Sequence, residues 1–181
     1  MSSDCCNTDE SNKNLKGLDH KDAIQERYGS AALEQESCLC TPVGFNPVLL
    51  EAIPEEVIER DYGCGDPTKY VKKNDIVLDL GSGSGKNAFI CSQIVGEKGK
   101  VIGVDQNPDM LKLSRSASKK FSEKIGFNNT EFLGGSIENL DEIDKDLNPL
   151  IADKSVDIIL SNCVLNLVNP ESRKNLLRNI K

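Results

Sequence analysis

Ile76-Val-Leu-Asp-Leu-Gly-Ser-Gly-Ser-Gly85 is the stretch on which the reading of this chain turns. Five residues of strand-like, mostly apolar character run into three glycines at alternate positions, and Asp79 stands two places before the first. Glycine is required where backbone adopts positive φ or passes close to a ligand. Lys86 to Val95 then reads as a helix whose N-terminal amides would face that ligand. Three nucleotide-binding patterns compete for such a strand, loop and helix, and spacing separates them. A P-loop requires a glycine five residues before Gly85-Lys86 and Ser or Thr after it, but Leu80 and Asn87 occupy those places, which excludes it.

A dinucleotide fingerprint can be forced as Gly83-x-Gly85-x-x-Ala88, but the join of strand to glycine is then displaced by two residues. It would also set Asp79 beside a pyrophosphate, where like charges repel. S-adenosylmethionine carries an ammonium and a sulfonium and no phosphate, so an acid at the strand end suits it. Acid-x-Gly-x-Gly-x-Gly is the class I methyltransferase pattern, which this segment resembles through Asp79, Gly81, Gly83 and Gly85. Lys100-Val-Ile-Gly-Val-Asp105 reads as the next strand, ending in a carboxylate 24 residues beyond Gly81. In this topology an acid about 20 residues on accepts hydrogen bonds from ribose hydroxyls. The alternative for Asp105 is a solvated turn aspartate, since Asn107-Pro108-Asp109 is a helix-start sequence.

The chain has 181 residues, enough for one domain with an appendage. Its 38% apolar content suffices for a core, which 4% aromatic residues and no Trp predict to be aliphatic. Net charge is −7, with lysines spread among acids, which argues against nucleic acid as a partner. No apolar run approaches ~18 residues and the N-terminus is polar, so neither a membrane span nor a secretory signal is expected. A cytoplasmic location follows, with the seven cysteines (5, 6, 38, 40, 64, 91 and 163) as thiols.

Residues 1–20 read as a mobile polar tail. Residues 21–70 read as a helical and loop segment carrying Cys38, Cys40 and Cys64. Within it a short helix is expected over His20 to Tyr28, a weakly helical stretch over Ala31 to Cys40, and a helix over Glu55 to Asp61 opened by Pro54. Residues 71–181 read as an α/β domain: strands 76–80, 101–105, 130–133 and 156–160, helices 86–95 and 108–124, a loop over 134–153, and a last helix after Pro170. Strands alternating with helices predict a parallel, doubly wound, Rossmann-like sheet. A complete class I methyltransferase sheet has seven strands, so this one is expected to be incomplete, the front portion of a longer protein. Such a half sheet is expected to expose an apolar edge and face, with marginal stability or association.

Cys163, in Ser161-Asn-Cys-Val-Leu-Asn-Leu167, follows the last strand, and ligands of open α/β sheets bind beyond the strands' carboxyl ends. Cys64 lies in the loop Tyr62-Gly-Cys-Gly65, and Cys38 and Cys40 form a Cys-x-Cys. Soft thiolates select soft ions. Asp61-Tyr-Gly-Cys-Gly-Asp66, Leu78-Asp-Leu-Gly-Ser-Gly-Ser-Gly85, Val95-Gly-Glu-Lys-Gly-Lys-Val-Ile-Gly-Val-Asp105 and the Cys163 segment together resemble the arsenite S-adenosylmethionine methyltransferases, over roughly residues 22 to 181. The paired cysteine motifs are far more specific than the glycine loop.

The resemblance implies S-adenosyl-L-methionine as cofactor, contacted by Tyr62, Asp79, Gly81, Gly83, Gly85, Asp105 and Gln106, with Ile137 and Glu138 flanking the adenine. It implies catalytic thiols at Cys64 and Cys163 that hold trivalent arsenic, joined by Cys38 or Cys40, with no other metal. The family's fourth cysteine lies beyond Lys181. The implied partners are arsenite or its thiol conjugates and a reductant of the glutathione or thioredoxin type. The implied chemistry is methyl transfer to thiol-bound As(III), governed by positioning. It needs no general base, which suits a chain whose one histidine is His20 and which has no Ser-His-Asp set.

Blander readings stand beside these. Cys91, beside Ile90 and Ile94, reads as a small core hydrophobe. Cys5-Cys6 read as incidental thiols of the tail, and Cys38/Cys40 also fit half of a zinc site. Two further functions compete: methyl transfer to a small organic acceptor with structural cysteines, and a non-catalytic metalloid-binding fragment.

Overall fold

The computed structural model describes residues 44–61, 65–141 and 149–181. The expected tail, the helices over 20–28 and 31–40, and Cys5, Cys6, Cys38, Cys40, Tyr62 and Cys64 lie outside the described residues. Four parallel strands, β1 (Ile76–Leu80), β2 (Lys100–Asp105), β3 (Thr130–Gly134) and β4 (Ile158–Ser161), form one sheet in the order β3-β2-β1-β4. This is the α/β, Rossmann-like architecture the alternation predicts. Helices α1 (Pro47–Leu50) and α2 (Glu55–Ile58) precede the sheet, α3 (Lys86–Val95) and α4 (Pro108–Ile125) link its strands, and α5 (Arg173–Asn179) follows it. Among the described residues no helix is long and apolar enough to cross a membrane.

Strand periodicity splits the core in two. Val77, Val101 and Phe132 face one cluster with Phe89, Ile90, Phe121 and Val57, while Leu78, Leu80, Ile102 and Val104 face another with Ile137, Leu140, Val168 and Leu176. The first cluster is not aliphatic, as composition suggests. Phe89 stacks at 4.6 Å from Phe121 and 5.5 Å from Phe132, so a chain poor in aromatic residues concentrates those it has in one place. Nor is the second face bare: residues after β3 and helix α5 cover part of it. The outer edge of β4 does lack a strand partner among the described residues.

Two boundaries differ from expectation by two residues or more. The last strand begins at Ile158 rather than 156, because Asp157 ends the preceding turn, its carboxylate accepting from the Ile76 amide at 2.8 Å while its own amide donates to the Ile76 carbonyl. Helix α2 closes after one turn instead of reaching Asp61, which turns inward.

There Asp61 forms an ion pair with Lys86, the first residue of α3, whose side chain is 0% exposed. The Lys86 ammonium also lies 4.4 Å from the centre of the Phe45 ring. Ser84 adds a hydrogen bond to the Val57 carbonyl at 2.9 Å. The segment ahead of the sheet is thus fastened to the glycine loop and the helix it starts.

Replacing one partner of a buried ion pair strands the other without compensation. Lys86→Met is expected to lower the unfolding free energy by about 3–5 kcal/mol in urea titrations. The double variant Lys86→Met/Asp61→Asn is expected to recover more than half of that loss; equal losses in both would show that the pair contributes nothing.

Candidate active site

At the carboxyl end of β1 the chain turns over β2, the amides of Gly81 and Ser82 both donating to the Val104 carbonyl, at 2.8 and 3.0 Å. Gly81, Gly83 and Gly85 all have positive φ, but for different neighbours. A Cβ on Gly81 would lie 2.6 Å from the Val164 side chain, and one on Gly85 would lie 2.9 Å from the Phe132 ring. Those two glycines let the protein approach itself. Gly83 alone of the three has nothing within 4 Å of a Cβ, and it borders an open cleft.

The cleft gathers residues from every strand end. Gly81 and Gly83 form its floor, Asp105 and Gln106 come from the end of β2, and Ile137 and Glu138 follow β3. Cys163 and Val164 follow β4, and Arg60 and Asp61 come from the segment ahead of the sheet. The sequence-selected residues Gly81, Gly83, Asp105, Gln106, Ile137, Glu138 and Cys163 therefore meet in one place. Gly85 does not line it, being packed against phenylalanines at the start of α3.

Asp105 is no free turn residue. One carboxylate oxygen accepts from the Gly83 amide and the other from the Asn107 amide, each at 2.8 Å, so it pins the glycine loop to the start of α4. Burial raises its proton affinity, while the hydrogen bonds from Asn107, Gly83 and Gln106 oppose that rise. Asn107 caps α4 through its Oδ1, leaving its Nδ2 buried and without a partner among the described residues.

Asp79 departs furthest from the sequence reading. It is 1% exposed and does not line the cleft but lies behind it. Neither carboxylate oxygen has a hydrogen-bond partner among the described residues. Burial, and then the charges of Asp61 and Asp105, push its pKa from 3.8 up to about 7.

Cys163 is exposed at the rim, in the left-handed region with φ 58, and its neighbour Asn162 donates to the Gly65 carbonyl at 3.5 Å. The motif after β4 and the Asp61–Asp66 motif thus touch. Cys91 is sealed inside α3, where burial raises its thiol pKa further, which fits its reading as a core residue. No three His, Cys, Asp or Glu side chains cluster to hold a metal ion among the described residues.

Sequence reasoning missed the contributions of Arg60, Asp61, Ser82, Asn87 and Asn107 to this cleft. Four buried atoms on them, Arg60 Nε, Ser82 Oγ, Asn87 Oδ1 and Asn107 Nδ2, have no hydrogen-bond partner among the described residues. Unpaired buried polar atoms are costly, so their convergence on one cleft marks a place for a polar ligand. Only their position next to the glycine loop or the acid-ended strand hinted at this in sequence.

The sequence profile of a methyltransferase-domain family matches residues 71–179. The chain belongs to the S-adenosylmethionine-dependent methyltransferases. Along most of its length it is similar to arsenite methyltransferases in particular, as its cysteine motifs suggest. It is 38% identical to that of Rattus norvegicus over 165 residues, which cover 86% of this chain and 42% of the relative. It is 36% identical to that of Aquipseudomonas alcaligenes over 154 residues, covering 81% of this chain and 42% of the relative. An arsenic(III) S-adenosylmethionine methyltransferase from Chlamydomonas reinhardtii superposes with a TM-score of 0.64 at 36% identity, over 74% of this chain and 43% of that one. The chain thus spans about two fifths of the length of the curated relatives it matches.

The residues present fit the family's cofactor. The unpartnered donors and acceptors suit its polar groups, and Asp61 and Asp105, which line the cleft, suit its two positive charges.

The state of Asp79 sets a dependence on pH. Between about pH 4 and 7 the folded chain keeps a proton that the unfolded chain has released, so stability falls as pH rises through that window and levels off above it. Asp79→Asn is expected to flatten the fall by up to about 1.4 kcal/mol per pH unit and to stabilise the chain at pH 8 but not at pH 4. Urea midpoints measured across this range check it; an unchanged slope would show that Asp79 ionises normally.

Proposed function

We propose that this chain binds S-adenosylmethionine in the cleft and serves methyl transfer to arsenic(III) held by thiols, with Cys163 as one ligand. The observation that carries the reading is the position of Cys163, on the rim of the cleft that the glycine loop and Asp105 floor. The Asn162 contact to the Gly65 carbonyl, which joins the segments that carry the two cysteine motifs, supports the same reading.

The cofactor supplies, when bound, an electrophilic methyl group on a positively charged sulfur. Asp105 would accept the ribose hydroxyls while keeping its two amide bonds, because a carboxylate has acceptor sites for more than two donors. Ile137 and Met110, both buried along the cleft, offer apolar surface for the adenine beside Glu138. Cys163 captures the substrate by exchange: its sulfur replaces a hydroxide on arsenic, and the thiol proton leaves with that hydroxide as water. Thiolate-bound arsenic keeps a lone pair, and the gain in rate comes from holding it close to the methyl group. The carboxylates around the cleft also favour a cationic donor over its neutral product. Cys38 or Cys40 would complete the ligand set, and a monothiol or dithiol reductant would keep it reduced.

Native mass spectrometry of the reduced chain with arsenite tests the reading. A one-arsenic adduct is expected, lost in Cys163→Ser and Cys64→Ser and kept in Cys91→Ser. An adduct indifferent to Cys163→Ser, or none, would contradict it and favour an organic acceptor.

A further inference from the structure

Cys163 holds an unfavourable backbone conformation, and its neighbours give the reason. Among the described residues only Asn74, Lys154 and Cys163 have positive φ without being glycine, and the first two lie in turns. Such a conformation persists where the surroundings impose it. On one side of Cys163, Ser161 pairs with Leu80 at the end of β4, and Asn162 reaches the Gly65 carbonyl at 3.5 Å, a long contact. On the other side the packing is close. A Cβ on Gly81 would lie 2.6, 2.8 and 2.9 Å from Cγ2, Cβ and Cγ1 of Val164, so the whole Val164 side chain is seated in the space that Gly81 leaves open. The Val164 carbonyl accepts from the Leu167 amide at 2.9 Å, and its side chain packs against the core cluster that contains Leu78, Leu80 and Val168.

Val164 is thus a wedge between two left-handed residues, Gly81 on the cleft floor and Cys163 on its rim. A β-branched side chain is stiff about its first torsion, so the spacing it sets is firm. We infer that Val164 is a positioning residue: seated on Gly81, it fixes where the Cys163 thiol stands above the glycine loop. This rests on the reading of Cys163 as an arsenic ligand and adds to it the residue through which the loop acts on the thiol. Capture of arsenic by one thiol and closure by a second differ in what they need. The first needs an accessible sulfur. The second is an intramolecular step, and its advantage is lost when geometry keeps the two sulfurs from engaging together. The competing anchor is Asn162, through its contact to Gly65.

Arsenite and iodoacetamide separate position from access, because iodoacetamide alkylates a single thiol. Both are applied without cofactor to the reduced full chain and to Val164→Ala, Val164→Ile and Val164→Thr, which empty, overfill and keep the shape of the seat. Arsenite affinity is read from native mass spectra across a titration, and Cys163 alkylation from peptide mass spectra over time. Val164→Ala and Val164→Ile are each expected to weaken arsenite about tenfold or more, since a displacement of about 1 Å in a positioned group is enough for such a loss. Val164→Thr, with the same branching, is expected to stay within about threefold of the unmodified chain. Alkylation of Cys163 is expected to change less than about twofold in all three, because it follows exposure and thiolate fraction rather than direction. Arsenite binding indifferent to Val164→Ala and Val164→Ile overturns the inference and leaves positioning to Asn162. A Val164→Thr as weak as Val164→Ala also overturns it, making apolar burial rather than shape the cause. Alkylation that changes in step with arsenite binding does the same, since the loop itself would then have come loose. If the unmodified chain takes up no arsenite, or keeps it in Cys163→Ser, the arsenic reading itself fails and the inference with it.

Discussion

A lysine with no access to water, at the first position of a helix, is a constraint that the surrounding structure must satisfy. Lys86 is in that position. The helix dipole disfavours a cation there, and desolvation of an ammonium costs several kcal/mol unless an anion answers it. Asp61 and the face of Phe45 answer it, and both belong to the segment ahead of the sheet. One charge thus decides how that segment docks. Because Asp61 is held there, Arg60 beside it lines the cleft. The ion pair also leaves the Asp61 carboxylate close enough to raise the proton affinity of Asp79.

Much of the fold was legible because it is set by local signals. The apolar run 76–80 ending in glycine, the helix-start Asn107-Pro108 and the acid closing β2 all act over a few residues, and the elements they predict are present. That the cleft brings Gly81, Gly83, Asp105, Ile137, Glu138 and Cys163 together follows from parallel topology, which puts every strand's carboxyl end on one side. The illegible parts depend on distance in sequence. Nothing in Asp61 or Lys86 separately distinguishes them from surface residues, and their meeting across 25 positions is a tertiary fact. Likewise the glycine pattern does not reveal that Gly81 yields to Val164 and Gly85 to Phe132. Segment Ala31 to Cys40, with its two thiols, lies outside the described residues.

The cleft is electrostatically one-sided. Asp61, Asp105 and Glu138 line it and Asp79 stands behind, against a single lining arginine among the described residues. Such a surface suits a ligand of two positive charges and one negative charge, and it repels the pyrophosphate of a dinucleotide. In the proposed reaction, methyl transfer would remove one of those positive charges, and the same field that attracts the cofactor would release its product more readily. Cys163 at the rim adds a soft donor to an otherwise hard, oxygen-rich site, and softness is what separates a metalloid acceptor from an organic one.

The central claim is that one cleft brings the cofactor and thiol-bound arsenic together. The most direct measurement is an anomalous difference map at the arsenic edge, from crystals of the reduced chain grown with S-adenosylhomocysteine and arsenite. The account predicts a single arsenic bonded to the Cys163 sulfur, facing the thioether across the cleft above Gly81 and Gly83. Arsenic on other cysteines with Cys163 bare, or on the far side of the sheet from the thioether, would contradict it.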